Sequence, residues 1–579
     1  MQNLLIINRG LSAVKFILSI RDVYPADELK LIGVATPDDI TSDYRYISQL
    51  DQILFTDNDI YMNIEKIIAL CLKNNINAVF PGWGYLSERS DFVKRLEEHN
   101  IIFMGPSSNT IDLLGNKINS MLLAHKNNVP LVKWSGSEPL TTIDSVILAV
   151  HKIGIPCMIK EADGGGGKGI RIINSLDKDM IEKNYNQIIN EMGRDNATAK
   201  IFVMELMEEC HHIEVQLVGD GYKTVHLFGR DCSVQRRNQK LIEEGPITVA
   251  PPSIIKLCED SAVKMAESVN YIGLGTAEFL YIPKNNKLTF LEINPRLQVE
   301  HIVTELLLNI NLPAILYKIT CEKLRLDQIF PSDFNSETNT YFDKPLKHVL
   351  AVRLNAENVE ENFKPSVGTL QNIEIPDVVD SWSYISIHNG GKIINSVDAQ
   401  FGHLFTVGAT RADAIKRMSR FIKQIIIDSD VSNSLLFLRK IINTDTFKNN
   451  KHTTNWIHYS MFKPETEVSM FKSESIESIY WILGMINQGW YRQLLYNNEY
   501  DKWVKNGHNI EKDTKSKISL ALKVNGCLVL FNGELYTQNQ SDNWYTCELI
   551  LFYKEEGGGG KGQGGQGEQG EQGEQGEQG

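Results

Sequence analysis

Residues 276–300 read TAEFLYIPKNNKLTFLEINPRLQVE. Two apolar-rich runs flank the tetrad PKNN, the pattern of a β-hairpin. Residues of equal parity along a strand share a face. Glu292 and Asn294 therefore stand side by side, and Glu278 can sit across from them on the partner strand. Carboxylates this close repel unless a cation resolves them. Two Glu oxygens and an Asn carbonyl are hard ligands suited to Mg2+, which also takes phosphate oxygens and water. A merely solvated polar face is the simpler alternative. It fits less well because Leu291 and Ile293 leave the acidic face pointing at something specific.

The same edge continues through Arg296, Gln298, Val299 and Glu300. An arginine fork can bind a small planar anion with two hydrogen bonds, and a neighbouring Glu can serve as a general base. Upstream, Lys240 lies in SVQRRNQKLIEEGP beside Gln235, Arg236 and Arg237. Taken by itself, that charge run reads as a solvated face.

A second stretch, EADGGGGKGIRII at 161–173, places Gly164, Gly165, Gly166 and Gly167 between two apolar strands. Without Cβ atoms, such a turn brings backbone N–H groups onto phosphate oxygens and can close as a lid. A glycine run is more often a simple linker. Neither G-x-x-x-x-G-K-[ST] nor the dinucleotide fingerprint fits it. Its partners are Lys160, in the preceding strand CMIKEA, and Lys117, in LLGNKINS. Lysines in apolar contexts need a partner or a task, and two of them can hold phosphates as point charges; the alternative is surface lysines that snorkel to water.

Residues 1–130 alternate short apolar runs (LLIIN, LIGVAT, AVFPGWG, IIFMGP) with helical patterns, which predicts a parallel α/β sheet. From 204 to about 325 the strands look antiparallel, and 346–455 reads as α+β with a helix in ATRADAIKRMSRFIKQIII. From 456, helical patterns lead to three strands, ISLALKV, CLVLFNGELYT and WYTCELILFY. The Gly-Glu-Gln repeat at 557–579 lacks the proline of collagen and reads as a disordered tail. The net charge of −13 argues against non-specific nucleic-acid or membrane-surface binding. No run approaches the ~20 apolar residues of a membrane helix. The N-terminus reads as a first strand, with no signal or transit peptide before it. The 8 Cys form no CxxC pair, which points to reduced thiols and a cytoplasmic setting.

Together, KEADGGGGKGIRI, HHIEVQLVGDG, GRDCSVQRRNQKLIEEGP and EFLYIPKNNKLTFLEINPRLQVEHIVTE resemble the ATP-grasp biotin carboxylase module over roughly residues 1–455. PGWGYLSE, VKWSGS, VRLNAENVEENFKPSVGTLQ and DAQFGHLF are most similar to the biotin carboxylase region of eukaryotic multidomain acetyl-CoA carboxylase. The resemblance implies an N-terminal α/β domain (1–130), an ATP-grasp lid (131–203), a central domain (204–345) and a C-terminal α+β domain (346–455). A connecting region (456–556) and the tail (557–579) follow. It implies that the module makes carboxyphosphate from ATP and bicarbonate and then carboxylates carrier-bound biotin, the first half-reaction of acetyl-CoA carboxylase in fatty-acid synthesis.

Carried over by position, Lys117, Lys160 and glycines 164–167 contact ATP phosphates. Glu205, Leu206, His212 and Gln235 line the nucleotide site. Glu278, Glu292 and Asn294 hold Mg2+, for which Mn2+ can substitute. Lys240, Arg296, Gln298 and Val299 bind bicarbonate, and Glu300 is the base. A carrier and a carboxyltransferase are the expected partners, with no nucleic acid or membrane, and a homo-oligomer is expected. No Ala-Met-Lys-Met hairpin occurs; SMFKPE and SMFKSE read as chance, so biotin is not expected on this chain. Departures from the family pattern are Asn238 for the usual His, Glu161 and Asp163 where small residues are usual, and DSWSYIS without an Arg before Trp382. The first two bear on nucleotide affinity, not on reaction type. Two alternatives share the motifs: another ATP-grasp carboxylate ligase, and a non-catalytic homologue serving as an assembly partner.

Overall fold

The computed structural model describes residues 2–161, 169–192, 200–236, 239–330, 332–395 and 398–458, with the backbone of three strands, Lys515–Val524, Cys527–Ser541 and Trp544–Glu555. The chain divides into two units, Met1–Phe462 and Lys463–Gly579.

The first sheet is parallel. Its strands are β1 (Gln2–Ile6), β2 (Leu29–Ala35), β3 (Gln52–Phe55), β4 (Ala78–Phe80) and β5 (Ile102–Phe103), in the order β3-β2-β1-β4-β5. The apolar runs that suggested strands form all but β3, whose QILF run is too short and too polar in its flanks to stand out. The strand order reverses beside β1, and in open α/β sheets functional loops gather at the C-terminal ends there. Asn8, just after β1, donates from Nδ2 to the carbonyls of Pro81 (2.6 Å) and Trp83 (2.9 Å). That ties down the loop after β4, which carries Glu88. Helix Gly10–Arg21 is buried on nearly every face. Phe16 stacks on Phe80 at 3.6 Å, and buried Lys15 is held by Glu305 at 2.7 Å and the Tyr384 hydroxyl at 3.2 Å.

A small antiparallel sheet, β7-β6-β8, follows: β6 (Cys157–Glu161), β7 (Ile170–Ile173) and β8 (Ile201–Glu205). Cys157 and Ile159 pack under helices Ile143–Ile153 and Lys178–Met192 with Val150, Ile181, Ile188 and Val203. Lys160, of opposite parity, lies on the face lined by Met158, Phe202 and Met204.

The central sheet has eight antiparallel strands. Six are β9 (His211–Asp220), β10 (Thr224–Arg236), β11 (Gln239–Gly245), β12 (Ile272–Ile282), β13 (Lys287–Asn294) and β14 (His348–Asn355). The order is β13-β12-β9-β10-β11-β14, completed by strands Gln400–Gly408 and Ser381–Ile385. Because β11 pairs with β14, the sheet runs without a break across residues 345 and 346. One face is apolar: Ile213, Val215, Leu217, Phe279 and Phe290 pack against helix Pro252–Glu267. The other face is buried yet rich in charge. The hairpin of β12 and β13 turns at Pro283–Asn285, with Asn286 in the left-handed region at φ 52°, and Glu278 lies opposite Glu292. The helix Arg411–Gln424 forms as its sequence predicts, capped by Thr410 and Asp413.

The second unit contains an antiparallel meander whose three strands match the three sequence runs. The helical pattern expected before it and the Gly-Glu-Gln tail lie outside the described residues.

Phe279 is fully buried and edge-on to Phe290 at 5.8 Å, on the face opposite Glu278. Phe279→Ala should cost about 3–5 kcal/mol. The check is a lowered thermal midpoint of the first unit with nucleotide affinity retained.

Candidate active site

The charged face of the central sheet gathers around Lys240. Its Nζ lies 2.6 Å from Glu214 Oε2, 3.0 Å from Glu278 Oε1 and 2.5 Å from Glu300 Oε1. Strand register brings them together: Glu214 pairs with Glu278 across β9 and β12, and Lys240 pairs with Gln235 across β10 and β11. The side chain of Lys240 is 12% exposed, and Glu214, Glu278 and Glu300 are buried. Arg230, fully buried, donates to Glu214 Oε1 at 2.5 Å and to Gln216 and Thr304 at 2.8 Å each. Arg353 of β14 donates through Nη2 to Glu300 Oε2 at 3.0 Å and through Nε to Glu243.

This electrostatic frame sets the acid–base properties of each group. Burial alone would raise the Glu300 carboxyl, but Lys240, Arg353 and Arg230 hold it well below the usual range. Glu278 is likewise held far down, against burial, by Lys240 and His212. Glu292 moves the other way: burial and the charge of Glu278 push it up. The raised Glu292 beside an ionised Glu278 is a site short of positive charge. Asn294 donates from Nδ2 to Glu278 Oε1 at 3.0 Å, leaving its carbonyl oxygen as the ligand it can offer. Three hard oxygen donors with one carboxylate underneutralised fit Mg2+.

His212 Nε2 is 2.9 Å from Glu278 Oε2, and its Nδ1 lies 3.3 Å from Gln235 Nε2. Gln298 donates to Glu278 Oε1 at 2.8 Å. Arg296 is not poised alone: its Nε donates to Glu88 Oε1 at 2.9 Å. Lys117 opens helix Lys117–Lys126, and Lys160 is buried close enough to feel the charges of Lys117 and Glu292. Burial, reinforced by Lys117 and opposed by Glu292, pushes Lys160 down to about 8. Glu205 ends β8 and is held by Lys287 Nζ at 2.9 Å, while the Leu206 amide donates to the Pro156 carbonyl at 3.2 Å. Val299 is half-buried in the turn before helix His301–Leu308. Glu161 is buried at the end of β6. Glycines 164–167, Asp163, Arg237 and Asn238 lie outside the described residues.

Four residues of this site carried no assignment from sequence. Arg353 sits in VRLNAE and Glu214 in HHIEVQ, both inside the motifs, yet nothing in a lone strand shows which neighbour a side chain will meet. Glu88 comes from a loop 208 residues from Arg296, whereas Arg230 meets Glu214 and Gln216 across the neighbouring strands β9 and β10, 16 and 14 residues away. An Arg inside the apolar strand TVHLFGRD was the available signal for Arg230, since a charge in such a strand needs a partner.

Comparison with known proteins agrees with this architecture. The chain matches the families described as biotin carboxylase N-terminal domain over residues 1–111, carbamoyl-phosphate synthase L chain ATP-binding domain over 116–327, and biotin carboxylase C-terminal domain over 351–459. It is 35% identical over 509 residues to acetyl-CoA carboxylase 1 of Arabidopsis thaliana, covering 79% of this chain and 22% of that protein. It is 36% identical over 503 residues to the mitochondrial acetyl-CoA carboxylase of Saccharomyces cerevisiae, covering 78% of this chain and 22% of that protein. Among solved structures it resembles the biotin carboxylase domain dimer of Hydrogenobacter thermophilus 2-oxoglutarate carboxylase, in complex with MgADP, ADP and bicarbonate. That match has a TM-score of 0.72 and 28% identity, and covers 79% of this chain and 97% of that one.

The fold and its ionic face thus define an ATP-grasp enzyme. Residues 1–459 belong to the biotin carboxylase family, in the form found within acetyl-CoA carboxylases. The chain spans about a fifth of the length of those multidomain relatives.

Lys240→Met removes the ammonium that three buried carboxylates share and should cost about 3–5 kcal/mol. Lys240 holds Glu278 and Glu300 below the usual carboxylate range, so the wild type should lose stability as pH falls through the acid range, and that loss should be smaller in the variant, read as thermal midpoint against pH. For Lys160, ATP phosphates should restore the charge that burial suppresses. MgATP binding at about pH 8.5 should therefore take up a fraction of a proton, measured by calorimetry in buffers of different ionisation heat. Lys160→Met should abolish that uptake.

Proposed function

We propose that this chain carboxylates biotin with bicarbonate at the expense of ATP, through carboxyphosphate. The observation that carries the reading is Glu300, clamped between Lys240 and Arg353 beside the paired carboxylates Glu278 and Glu292. Lys117, Lys160 and glycines 164–167 hold the phosphates, and Glu205, Leu206, His212 and Gln235 line the nucleotide. Glu278, Glu292 and Asn294 hold Mg2+, which supplies charge neutralisation to the phosphates. Lys240, Arg296, Gln298 and Val299 receive bicarbonate.

A base clamped by cations is a weak base. A bicarbonate anion seated on Lys240 and Arg296 competes for those cations, drawing Lys240 from Glu300 and Arg296 from Glu88. Glu300 becomes more basic when its substrate arrives, which restricts proton abstraction to the loaded site. Positioned charge, more than covalent help, then carries the phosphoryl transfer.

The acceptor side rests on the relatives. Their names support acetyl-CoA as the final acceptor; a biotin carrier and a carboxyltransferase as partners, and fatty-acid synthesis as the setting, are what the family resemblance implies. The dimeric neighbour supports a homo-oligomer. No single helix among the described residues is long and apolar enough to cross a membrane. The six described cysteines are free and buried, which supports a reducing compartment such as the cytosol. One relative is named mitochondrial, so cell fractionation decides the compartment.

ADP release from purified protein should require MgATP, bicarbonate and free biotin together; release indifferent to bicarbonate would contradict the proposal. Glu300→Gln should lower turnover by about 10²–10⁴-fold with ATP binding kept. Near-wild-type turnover in that variant would remove Glu300 as the base.

A further inference from the structure

Behind the catalytic face, one buried cluster plays no part in this chemistry. His211 alternates with His212 on β9 and so faces the opposite side of the sheet. Asp231 of β10 pairs in register with Ile213, on that same opposite side. His452 arrives from the segment after helix Asp445–Lys448, where the Thr454 amide donates to the Cys210 carbonyl at 2.9 Å. His211, Asp231 and His452 are 3%, 2% and 1% exposed.

One donor atom from each of the three lies within 4.8 Å of the others. His452 Nε2 and Asp231 Oδ2 are 3.8 Å apart, too far for a hydrogen bond. Asp231 Oδ2 and both ring nitrogens of His452 are buried with no hydrogen-bond partner among the described residues. Asp231 Oδ1, in contrast, accepts from the Ser233 amide at 2.9 Å and from the Ser233 hydroxyl, which also lies 3.2 Å from His211 Nδ1. Ser233 thereby orients two of the three side chains. Phe447 and Trp456 flank the His452 ring at 5.3 and 6.0 Å. A buried carboxylate oxygen facing an unpartnered imidazole, inside an aromatic wall, calls for a cation.

We propose that His211, Asp231 and His452 form a binding site for a zinc-class divalent cation, separate from the nucleotide's Mg2+. Tetrahedral zinc with N and O ligands holds donor atoms about 3.3–3.6 Å apart; His452 Nε2 and Asp231 Oδ2 stand at 3.8 Å and the whole set within 4.8 Å, so the ion draws the three side chains together. Two imidazoles favour a transition metal over Mg2+, so the two sites are distinguishable by donor chemistry. The ion ties the end of the first unit to the back of the strand whose front presents His212. A serine hydroxyl orienting two of the side chains is the outer-sphere support such sites use.

The test uses the full chain, stripped with chelator and titrated with zinc sulfate against a chromophoric chelator in excess Mg2+. One equivalent should bind the wild-type protein, and cobalt should give the visible absorption of a tetrahedral N/O site. His452→Ile, which fills the space with an apolar chain, and Asp231→Asn should each weaken binding at least about 100-fold, more than losing an outer-sphere partner costs. The proposal falls if wild type binds no zinc equivalent and shows no cobalt band, a result that needs no folded variant. It falls equally if both variants bind like wild type, which would send the ion to the carboxylates of the nucleotide site.

Discussion

Three buried carboxylates converge on one ammonium. Lys240 holds Glu214, Glu278 and Glu300 within 3.0 Å, and each carboxylate belongs to a different element. Buried charge is tolerable only where partners satisfy it, and here Arg230 and Arg353 complete the balance. The relative placement of β9, β11, β12, β14 and the turn before helix His301–Leu308 follows from this constraint. Each must deliver its side chain to the same few cubic ångströms or leave a charge unpaired.

A network of this kind is an expensive way to gain stability. Well-packed apolar residues would do as well or better. Its value lies in being displaceable. Bicarbonate and phosphate are anions, and the cations they need are already assembled, held meanwhile by carboxylates. In the proposed reaction, substrate binding would be an exchange of anionic partners at a buried site, the condition for electrostatic catalysis. The Arg296–Glu88 pair extends the same device to the parallel domain, since Glu88 comes from the loop that Asn8 ties down after β4.

Much of this was legible from local pattern. The hairpin of β12 and β13, the facing of Glu278 and Glu292, and the parallel character of the first domain all follow from period-two alternation and turn chemistry, which act over a few residues. The buried Lys160 was also visible, because an ammonium in CMIKEA contradicts its apolar surroundings. Arg353, Glu214 and Glu88 were not assigned, because their significance lies in partners 26 to 208 residues away, as for Lys240 with Glu214 and Arg296 with Glu88. β3 does not stand out in the sequence because three half-buried residues and an exposed Phe55 carry too little periodicity.

The sequence by itself determined the strand and helix alternation, the sheet faces and the residue types able to hold nucleotide, metal and anion, since each depends on neighbours along the chain. Tertiary structure alone decided that β11 would pair with β14 and join the central and C-terminal segments into one sheet. It also decided that Arg353 would meet Glu300 and that His452 would close on His211 and Asp231. The physical reason is the same in each case. Burial and charge pairing act through space, and the chain order carries no record of which distant partner will be the one that satisfies them.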